Sequence, residues 1–581
     1  LYFGAHKLLR TDDMGSTWTE ISGDLTHGFP KEMLPLMGRT WSVDDLARIS
    51  STAQIVTIAE SPLDENIIFT GSGDGLIYYT HDGGENWNRG MANGLPETAR
   101  IHHIIASNHD KNVAYAACHH FNAGDYLPYL YKTTNGGLTW QNINTNLPKK
   151  GSTYTVGEDH VDPDLLFVGT QFGVYFSNTK KPHWIKLKTG IPTNTVMDLD
   201  IHRGENDLVV STFGRSIYIL DDYTPLRNLD KGIIEKEAAI FPIEDALMFI
   251  EANPYGYPGK GSQGMGLWAA PNPPVGATIT YYIKEKPKSL KEQRRETEKK
   301  AIKDNSIIKY PDYETLNKER DERDPYLLFT IKDTDGRTIR KIKKEISVGV
   351  QRLVWDFRMT PPYPVSISDS KERSPWDQVG KGYMVMPGNY TVTLDKFDGE
   401  KWVQLDGPKE FTCKPLHNRK LNASELVELN IFNKKVAVLS RTVSGAEAHR
   451  KHLADKVPYL RKAVVSGHSV SREILDDITA LEKTLTLIGR KMNGDILRAK
   501  YEGSAPTSLK GRIDLVTNSL WSTMSTPTST FKRAYNEVSD SFSAILLELE
   551  KADNSLKIIE DKLEKAGAPY TPGRFPVWNK G

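Results

Sequence analysis

Cysteine is nearly absent from this sequence: two residues, Cys118 and Cys413, occur among 581. They lie far apart in different predicted domains, which excludes a disulfide framework, and neither has the neighbours of a zinc-binding motif. Long apolar runs are also missing, so no membrane-spanning helix is predicted. The first residues show no charged start, apolar core and cleavage site of a signal peptide. Cysteine scarcity fits the cytoplasm and a bacterial envelope equally.

An excess of charge is absent as well, because 75 Lys and Arg stand against 74 Asp and Glu. Such a balance gives no global attraction to nucleic acid or to an anionic membrane. Motifs of several enzyme classes are missing, including the nucleophile elbow and the dinucleotide fingerprint. The glycine-rich run at 71–75 superficially resembles a phosphate loop, but it sits in a predicted β-hairpin with no helix after it.

What the sequence does contain is a repeat. An apolar, β-rich run of five residues begins at Asn66 and returns after 46, 52 and 43 residues, at Asn112, Asp164 and Asp207. This spacing is typical of one four-stranded propeller blade, about 40–50 residues. Each unit holds two short β-rich runs separated by a glycine-containing turn, which predicts a hairpin.

The first residues fit the same repeat. Leu1–Gly4 aligns with Leu166–Gly169, and the next residues align with the second half of a unit. We therefore expect five units, of which the first lacks its opening strand. Because an open blade edge invites aggregation, we expect upstream sequence or another polypeptide to complete the ring and this chain to be a fragment.

Four turns match the Asp-box, Ser/Thr-x-Asp-x-Gly-x-Thr-Trp, in register. The first fits fully, the second has Asn86 in place of Thr, the third has Asn135 in place of Asp, and the fourth has Thr179 at the acidic position. We expect a structural role for these turns, in which the carboxylate caps turn amides and the Trp packs between hairpins. The residues concerned are Asp13, Trp18, Asp82, Trp87, Asn135, Trp140 and Trp184.

With these motifs, the chain resembles the bacterial Asp-box (BNR-repeat) β-propeller proteins named after glycosyl hydrolases, sialidases and the sortilin (Vps10) propeller. The resemblance is closest over Gly157–Leu226, which in that family is the final blade and its exit, and it continues at Asn272–Ala277, Val354–Arg358 and Pro387–Val392. It implies the C-terminal portion of an exported protein of the periplasm, outer membrane or cell surface, usually without an established biochemical role.

The predicted fold class is multidomain and mainly β. Asp-box β-propeller blades at 1–226 precede an immunoglobulin-like β-sandwich at 227–420, and short strand-like runs with hairpin turns support the sandwich. A charged insertion at 285–325 interrupts it, and interleaved acidic and basic residues indicate a solvated helical segment there. Apolar stripes of helical period predict a helical bundle at 421–567, and a tail follows at 568–581.

Candidate catalytic residues come from the enzyme hypothesis. Glycoside hydrolysis needs two carboxylates about 5–9.5 Å apart around the sugar bond, whereas sialidase-like chemistry uses an arginine cluster and a Tyr–Glu pair. The candidates are Glu158, Asp159 and Arg39, with Asp44, Asp45 and Asp162 as further ones. No spacing in the sequence shows that they converge.

Histidines cluster at 102–103 and 119–120, and His160 stands alone. Neighbouring residues of a strand point to opposite faces, so consecutive histidines rarely ligate one metal, and neither a metal nor a cofactor is predicted. His119, Asp125 and Tyr126 belong to a segment that also holds Phe121, Tyr129 and Tyr131. Such a segment is typical of a binding rim and also of plain loop packing.

The favoured function is a protein- or glycan-binding docking subunit of a larger envelope assembly. Its partner would be a protein of the envelope or outer membrane, or a glycan, but not nucleic acid. A peptide-sequestering propeller like sortilin belongs to the same class. The alternative is a glycoside hydrolase, sialidase-like or xyloglucanase-like, whose site is completed by upstream blades.

Overall fold

A computed structural model describes residues 1–29, 39, 41–46, 53–188, 190–229, 231–251, 270–365, 381–416, 421–468, 470–502 and 506–578. The chain divides into two compact units, Leu1–Lys236 and Glu237–Gly581. The first unit is built from β-strands and the second combines sheets with helices. None of the helices in these ranges has the length and apolar character that crossing a membrane requires.

Five consecutive sheets form the first unit. Their strands are β1 (Tyr2–Gly4), β2 (Leu8–Arg10), β3 (Thr19–Glu20); β4 (Ile55–Ser61), β5 (Asp64–Ser72), β6 (Ile77–Thr80), β7 (Asn88–Arg89); β8 (Met91–Ala92), β9 (Arg100–Ala106), β10 (Ala114–His120), β11 (Asp125–Thr133), β12 (Thr139–Asn142); β13 (Thr153–Glu158), β14 (Leu165–Thr170), β15 (Gly173–Asn178), β16 (Ile185–Lys186); and β17 (Val196–His202), β18 (Asp207–Thr212), β19 (Ile217–Leu220). Neighbouring strands pair antiparallel, except that β8 pairs parallel with β12. Two short helices, α1 (Val43–Leu46) and α2 (Lys231–Glu235), also belong to this unit.

Each sheet packs its face on the next, as the blades of a propeller do. Phe69 on β5 shares an apolar core with Ala116 on β10, and Leu130 on β11 shares one with Val168 on β14. The fourth and fifth sheets share a further core, and so do the first and second. Strands buried on both faces must be apolar on both, which explains the uninterrupted apolar runs of the sequence.

Small residues let consecutive sheets approach closely. A Cβ atom added at Gly71 on β5 would lie 2.4 Å from Ile101 on β9, and one added at Gly169 on β14 would lie 2.7 Å from Val196 on β17. Both glycines therefore serve as the surface on which the first strand of the following sheet packs.

In the second unit, two sheets share one apolar core. The strands are β20 (Ala238–Ile240), β21 (Ala246–Met248), β22 (Ala277–Ile283), β23 (Tyr326–Asp333), β24 (Thr338–Glu345), β25 (Gly349–Trp355), β26 (Gly388–Phe397) and β27 (Trp402–Pro415). One sheet has the order β20-β22-β25 and the other β21-β27-β26-β23-β24. Tyr281, Phe329 and Trp355 lie in the core between them. The immunoglobulin-like topology stays a prediction.

Helices supply the rest of this unit. They are α3 (Leu290–Lys303), α4 (Tyr313–Asp321), α5 (Ala423–Ser466), α6 (Glu473–Asn493), α7 (Ile496–Tyr501), α8 (Leu509–Leu520) and α9 (Ser529–Lys565). Asn422 caps α5 through a capping box with Glu425. The apolar stripes of α5, α6, α8 and α9 form one core, so the predicted mainly β chain with a helical C-terminal region is confirmed.

The charged insertion contains α3 and α4, neither of which has a buried residue. Arg294 links them by ion pairs of 2.6 Å to Glu298 on its own helix and to Glu319 on the other. The insertion is therefore a helical pair held by charge rather than by an apolar core.

Candidate functional site

The first strands of successive sheets carry a row of polar side chains. Thr57, His103, Thr155 and Asp198 are separated by 46, 52 and 43 residues, the same steps as the sequence repeat, and β4, β9, β13 and β17 pack side by side. The amide of Ile104 donates to Thr57 Oγ1 over 3.0 Å. The polar row therefore occupies one equivalent position in each repeat.

Hydrogen bonds link three members of this row: His103, Thr155 and Asp198. The Thr155 hydroxyl donates to Asp198 Oδ1 over 3.3 Å and lies 3.0 Å from His103 Nδ1. Thr155 therefore connects its two neighbours in the row. Burial lowers the pKa of His103, and Asp198 opposes that shift.

Four rings meet beside the two middle members of this row, and we name them the histidine–aromatic cluster: His102, His119, Phe121 and Tyr154. Nε2 of His119 lies 3.3 Å from Nδ1 of His102, and the His119 ring stacks on Phe121 with centroids 4.5 Å apart. Tyr154 packs against both histidines, at 5.4 and 5.1 Å between centroids. The cluster joins the start of β13 to the β10–β11 hairpin.

The sequence did not indicate Tyr154, although a signal for it exists. His102 and Tyr154 are 52 residues apart and thus occupy the same repeat position. Both lie where the pairing of the first strand with the second shifts register, between Ile101 and His103 and between Thr153 and Thr155. Such β-bulges redirect side chains and are common next to functional sites.

The histidines of the cluster are neutral at pH 7. Burial lowers the pKa of His102 to about 4 and that of His119 to about 3, with smaller contributions from neighbouring cations, Arg100 among them. His119 Nδ1 is buried and has no hydrogen-bond partner among the described residues. The cluster therefore carries neutral imidazoles rather than positive charge, and two of its rings, His119 and Tyr154, are buried.

Arg100 supplies the positive charge next to the cluster. It pairs in register with His119, so the two side chains are cross-strand neighbours. Burial lowers the pKa of its guanidinium, and within the described residues it forms no ion pair. A partly buried arginine without a counter-charge is suited to pair with an anionic group of a ligand.

Exposed aromatic and apolar side chains surround this end of the sheets. Tyr126 and Phe172, on two neighbouring hairpins, are 41% and 43% exposed, and Leu127 is exposed beside them. Asp125, predicted as part of a binding rim, accepts a hydrogen bond of 2.6 Å from Tyr129 and thereby fixes its hairpin. We call the surface formed by Tyr126, Leu127 and Phe172, next to Arg100 and the histidine–aromatic cluster, the cluster face.

Glu158 lies at the opposite end of β13 from Tyr154. It is buried and accepts hydrogen bonds from the Ser107 hydroxyl at 2.9 Å, the Asn108 amide at 2.7 Å and the Tyr115 hydroxyl at 3.0 Å. These donors tie the β9–β10 loop to the following sheet. The hydrogen bonds hold this carboxylate in place inside the fold.

Asp159 is also buried and fully engaged. Its carboxylate accepts from Arg227 Nε and Nη2, both at 2.8 Å, from the Tyr223 hydroxyl at 2.5 Å and from the Asp162 amide at 2.7 Å. Glu158 and Asp159 are adjacent in the chain but face different partners. The structure therefore gives each of them contacts that stabilise the fold.

The remaining acidic and basic candidates lie elsewhere in the first unit. The Arg39 guanidinium stacks 3.7 Å above the Trp41 ring, and Asp45 accepts a hydrogen bond of 2.6 Å from Ser42 at the start of α1. Asp44 is exposed on the same helix. No contact among the described residues joins Arg39 to Glu158 or Asp159. Within those residues, no group of three His, Cys, Asp or Glu has the geometry to hold a metal ion.

The first three of the turns assigned to the Asp-box share one hydrogen-bond pattern. Asp82 Oδ1 accepts from the Asn86 amide at 2.9 Å and from the Thr80 hydroxyl at 2.7 Å, and Asp13 does the same with Thr17 and Thr11. Asn135 Oδ1 takes the same role toward Thr139. In the fourth turn the Thr179 hydroxyl instead donates to the Lys181 carbonyl at 2.8 Å. The Gly136 amide of the third turn donates to the Asn112 carbonyl, which lies in the loop between β9 and β10. The cluster face lies at the other end of the strands, where the hairpin joins β10 to β11, so the turns lie at the opposite end of the sheets.

The tryptophans of these turns bond to backbone carbonyls. Nε1 of Trp87 donates to Ile21, that of Trp140 to Gly137 and that of Trp184 to Ile143. Trp18 is instead 43% exposed.

We expect acid to open the turns that contain Asp13 and Asp82 but not the turn that contains Asn135. Hydrogen bonds from the turn amide and hydroxyl groups lower the pKa of Asp13 and of Asp82 from 3.8 to about 2. A lowered folded-state pKa gives stability that is present above the unfolded pKa and lost as the pH falls through the folded pKa. We expect the amides of Thr17 and Asn86 to lose hydrogen-exchange protection between about pH 4 and pH 2.

The third turn provides the control for this prediction, because Asn135 does not titrate. Exchange at Thr139, corrected for the intrinsic rate, should stay protected over the same pH range, and Asp82→Asn should make Asn86 behave like Thr139. Equal loss of protection at all three amides would contradict a role for carboxylate ionisation.

The sequence matches no protein-family model and no curated protein. Similar solved structures include the GH74 xyloglucanase from Xanthomonas campestris, at 17% identity and a TM-score of 0.28, covering 43% of this chain and 39% of that one. The GH74 enzyme of Niastella koreensis matches at 15% and 0.28, covering 38% and 33%. The Cps50 (Swd1) β-propeller domain of Myceliophteria thermophila matches at 14% and 0.24, covering 30% and 55%. The chain thus spans well under two thirds of each, and likenesses this weak do not bear on function.

Proposed function

We propose that this protein binds a partner, either a protein or a glycan, at the cluster face and acts as a docking subunit of a larger envelope assembly. The observation that carries the proposal is Arg100, a partly buried guanidinium without an ion pair in the described residues, beside stacked neutral rings. Aromatic rings contribute large contact areas at low entropic cost, and the arginine supplies a directional anchor. Export to the periplasm, outer membrane or cell surface is part of the proposal and rests on the sequence resemblance.

The candidate carboxylates are already hydrogen-bonded within the fold, and this favours a binding function over a catalytic one. Glu158 and Asp159 accept hydrogen bonds from several groups of the fold, at the end of β13 remote from the cluster face. A β-strand rises about 3.3 Å per residue, so the six residues of β13 separate Tyr154 from Glu158 by well over a hydrogen-bond length. Glycoside hydrolysis, the alternative function, would need either other catalytic carboxylates or a different set of hydrogen-bond partners for Glu158 and Asp159.

Substitutions on the cluster face test the binding proposal. We expect Arg100→Gln and Phe172→Ala each to weaken capture of the native partner, or binding on a glycan panel, at least about tenfold, since each removes a side chain that the cluster face offers to a partner. Arg89→Gln on the exposed edge strand β7 is the matched control and should bind as the unmodified protein does. A photo-crosslinker at Tyr126 should reach the same partner.

The alternative function, glycoside hydrolysis, is tested by measuring glycan turnover in parallel. Turnover of a glycan that falls in Glu158→Gln, with folding intact and with no partner captured at the cluster face, would replace docking by glycoside hydrolysis. Unchanged binding in both cluster-face variants would also overturn the proposal.

A further inference from the structure

Three exposed aromatic side chains lie at equivalent turns of the third, fourth and fifth sheets. Tyr126 is the second residue of β11, directly after the turn from β10, Phe172 lies between β14 and β15, and Phe213 lies between β18 and β19. They are 41%, 43% and 71% exposed. Each turn joins the corresponding pair of strands in its sheet. The three rings therefore follow one another at the end of the sheets that carries the cluster face.

Contacts between neighbouring sheets hold these positions in one line. The Gly151 amide donates to the Tyr126 carbonyl over 3.0 Å, and a Cβ atom added at Gly151 would lie 3.1 Å from the Phe172 ring. The Phe213 amide donates to the Thr195 carbonyl over 2.9 Å. The Thr195 hydroxyl donates over 3.4 Å to the carbonyl just before Phe172. The line is thus continuous from the third sheet to the fifth.

Exposed cations accompany the rings. Lys149 and Lys150 directly precede Gly151, and Arg215 lies two residues after Phe213. Within the described residues, none of these three cations forms an ion pair. We call the three rings and the three cations the basic arc: Tyr126, Lys149, Lys150, Phe172, Phe213 and Arg215.

Negative charge is scarce beside the basic arc. The turns and loops that carry it contain no acidic residue, over 121–124, 143–152, 171–172, 187–195 and 213–216.

The nearby acidic side chains belong to other parts of the sheets. Asp125 accepts a hydrogen bond of 2.6 Å from Tyr129, and Asp198 accepts one from Thr155 in the polar row. Glu97 lies on the loop that enters the third sheet from the second. The basic arc therefore carries a local positive charge, although the whole chain is nearly neutral, and such a patch favours an acidic partner.

The path of the basic arc fits an extended polypeptide segment. Stacked sheets lie about 10 Å apart and an extended chain rises about 3.3 Å per residue, so about three residues span each step between rings. Since the blades of a propeller are arranged around an axis, a path across three of them is curved. An extended segment can bend at every residue, whereas a straight helix would leave the surface.

The polar side chains along the basic arc favour a peptide over a glycan. A glycan presents many hydroxyl groups, each of which needs a hydrogen-bond partner on binding. Two side-chain amides close to the rings are already used within the fold, because Asn144 donates to the Pro128 carbonyl over 2.8 Å and Asn194 to the Phe213 carbonyl over 2.7 Å. What the surface offers is positive charge and aromatic area.

We propose that the basic arc binds an extended, acidic segment of a protein partner. Carboxylates of the segment pair with Lys149, Lys150 and Arg215, and its apolar side chains pack on the three exposed rings. This inference rests on the binding function proposed for the cluster face, and it names the chemistry of the partner.

Fluorescence anisotropy with two synthetic peptides and the full chain tests the proposal. Both peptides have about twelve residues, enough to cross the three sheets. Glutamate alternates with leucine or serine in one peptide, and glutamine replaces every glutamate in the other. We expect the glutamate peptide to bind at least about tenfold more tightly at low salt, because three exposed ion pairs each contribute modestly. The preference should shrink at about 0.5 M salt, where screening is strong.

Neutralising the cations of the basic arc should abolish this preference. The variant combines Lys149→Gln, Lys150→Gln and Arg215→Gln, all at exposed positions. It should also weaken capture of the native partner at least about fivefold, since the partner loses the same ion pairs.

A second triple variant controls for net charge. It combines Arg89→Gln, Lys180→Gln and Lys181→Gln, which are exposed on β7 and in the turn between β15 and β16, outside the basic arc. The change of charge is the same, but this variant should keep the preference for the glutamate peptide.

Three results would overturn this inference: equal affinity for the two peptides, equal loss of preference in both triple variants, or tighter binding of polygalacturonate than of the glutamate peptide. If the native partner is still captured through Arg100 and Phe172, the proposed binding function stands in each of these cases. Absence of any partner at the cluster face would remove both.

Discussion

Asp159→Asn is expected to lower the free energy of unfolding of the first unit by about 3–5 kcal/mol, the usual cost of removing one partner of a buried ion pair. The side chain of Asp159 is fully buried, and Arg227 binds it through two nitrogen atoms. Asparagine keeps the size of the side chain but leaves the guanidinium without its counter-charge. The Tyr223 hydroxyl loses its ionised acceptor in the same step.

The pH dependence of the unmodified protein follows from the same network. Burial alone would raise the pKa of Asp159, but hydrogen bonds from Arg227 and Tyr223 outweigh it and lower the pKa below its usual range. The stabilisation is therefore present above the unfolded pKa and is lost as the pH falls through the folded one. The variant should lack this acid-dependent component.

Hydrogen exchange of peptides from β13 and β14 during denaturation by urea measures the effect in the first unit alone. Asp200→Asn, an exposed position on β17, is the control and should unfold with the unmodified protein. Coincident transitions of Asp159→Asn and the unmodified protein would show that the Arg227 pair contributes no net stability.

The hydrogen-bond network of Asp159 could not be predicted from the sequence, although the sheets around it could. The repeat predicts the sheets, because a period set by stacked hairpins is visible along the chain. The partners of Asp159 are 64 and 68 residues away, beyond the fifth sheet, and nothing in the local pattern relates them to it. Whether a carboxylate is available for catalysis depends on such distant contacts. The sequence therefore made Asp159 a catalytic candidate but did not show that its carboxylate is already bound by Arg227 and Tyr223.

The polar row and the histidine–aromatic cluster show the reverse case. Thr57, His103, Thr155 and Asp198 repeat with the steps of the sheets, so a comparison of equivalent repeat positions is enough to place them in one row. The β-bulges that place His102 and Tyr154 are not visible in the pattern, because the period of a strand assumes strict alternation. Register shifts depend on how two strands pair, which a single strand does not encode.

A pocket in the second unit was not predicted, for a related reason. Its lining includes Asn433 on α5 and Trp521 directly after α8, and residues so far apart in the sequence border one pocket only because the helical bundle packs on the sheets.

Trp140→Ala is expected to cost about 3–5 kcal/mol of unfolding free energy, whereas Trp18→Ala costs much less. Both residues end the same turn motif, yet Trp140 is 1% exposed and Trp18 is 43% exposed. Trp140 packs edge-on against Phe69 of the preceding sheet, with centroids 6.2 Å apart, and its Nε1 bonds to Gly137. Its removal leaves a cavity between two sheets and an unpaired carbonyl.

The comparison separates packing from motif identity, because the two substitutions delete the same atoms from equivalent turns of two different sheets. Urea denaturation followed by circular dichroism gives both free energies without relying on tryptophan emission. Equal losses in the two variants would mean that the turn itself, rather than the contact between sheets, needs the indole. A loss confined to Trp140→Ala would show that the stacked faces hold the first unit together, as their apolar runs require.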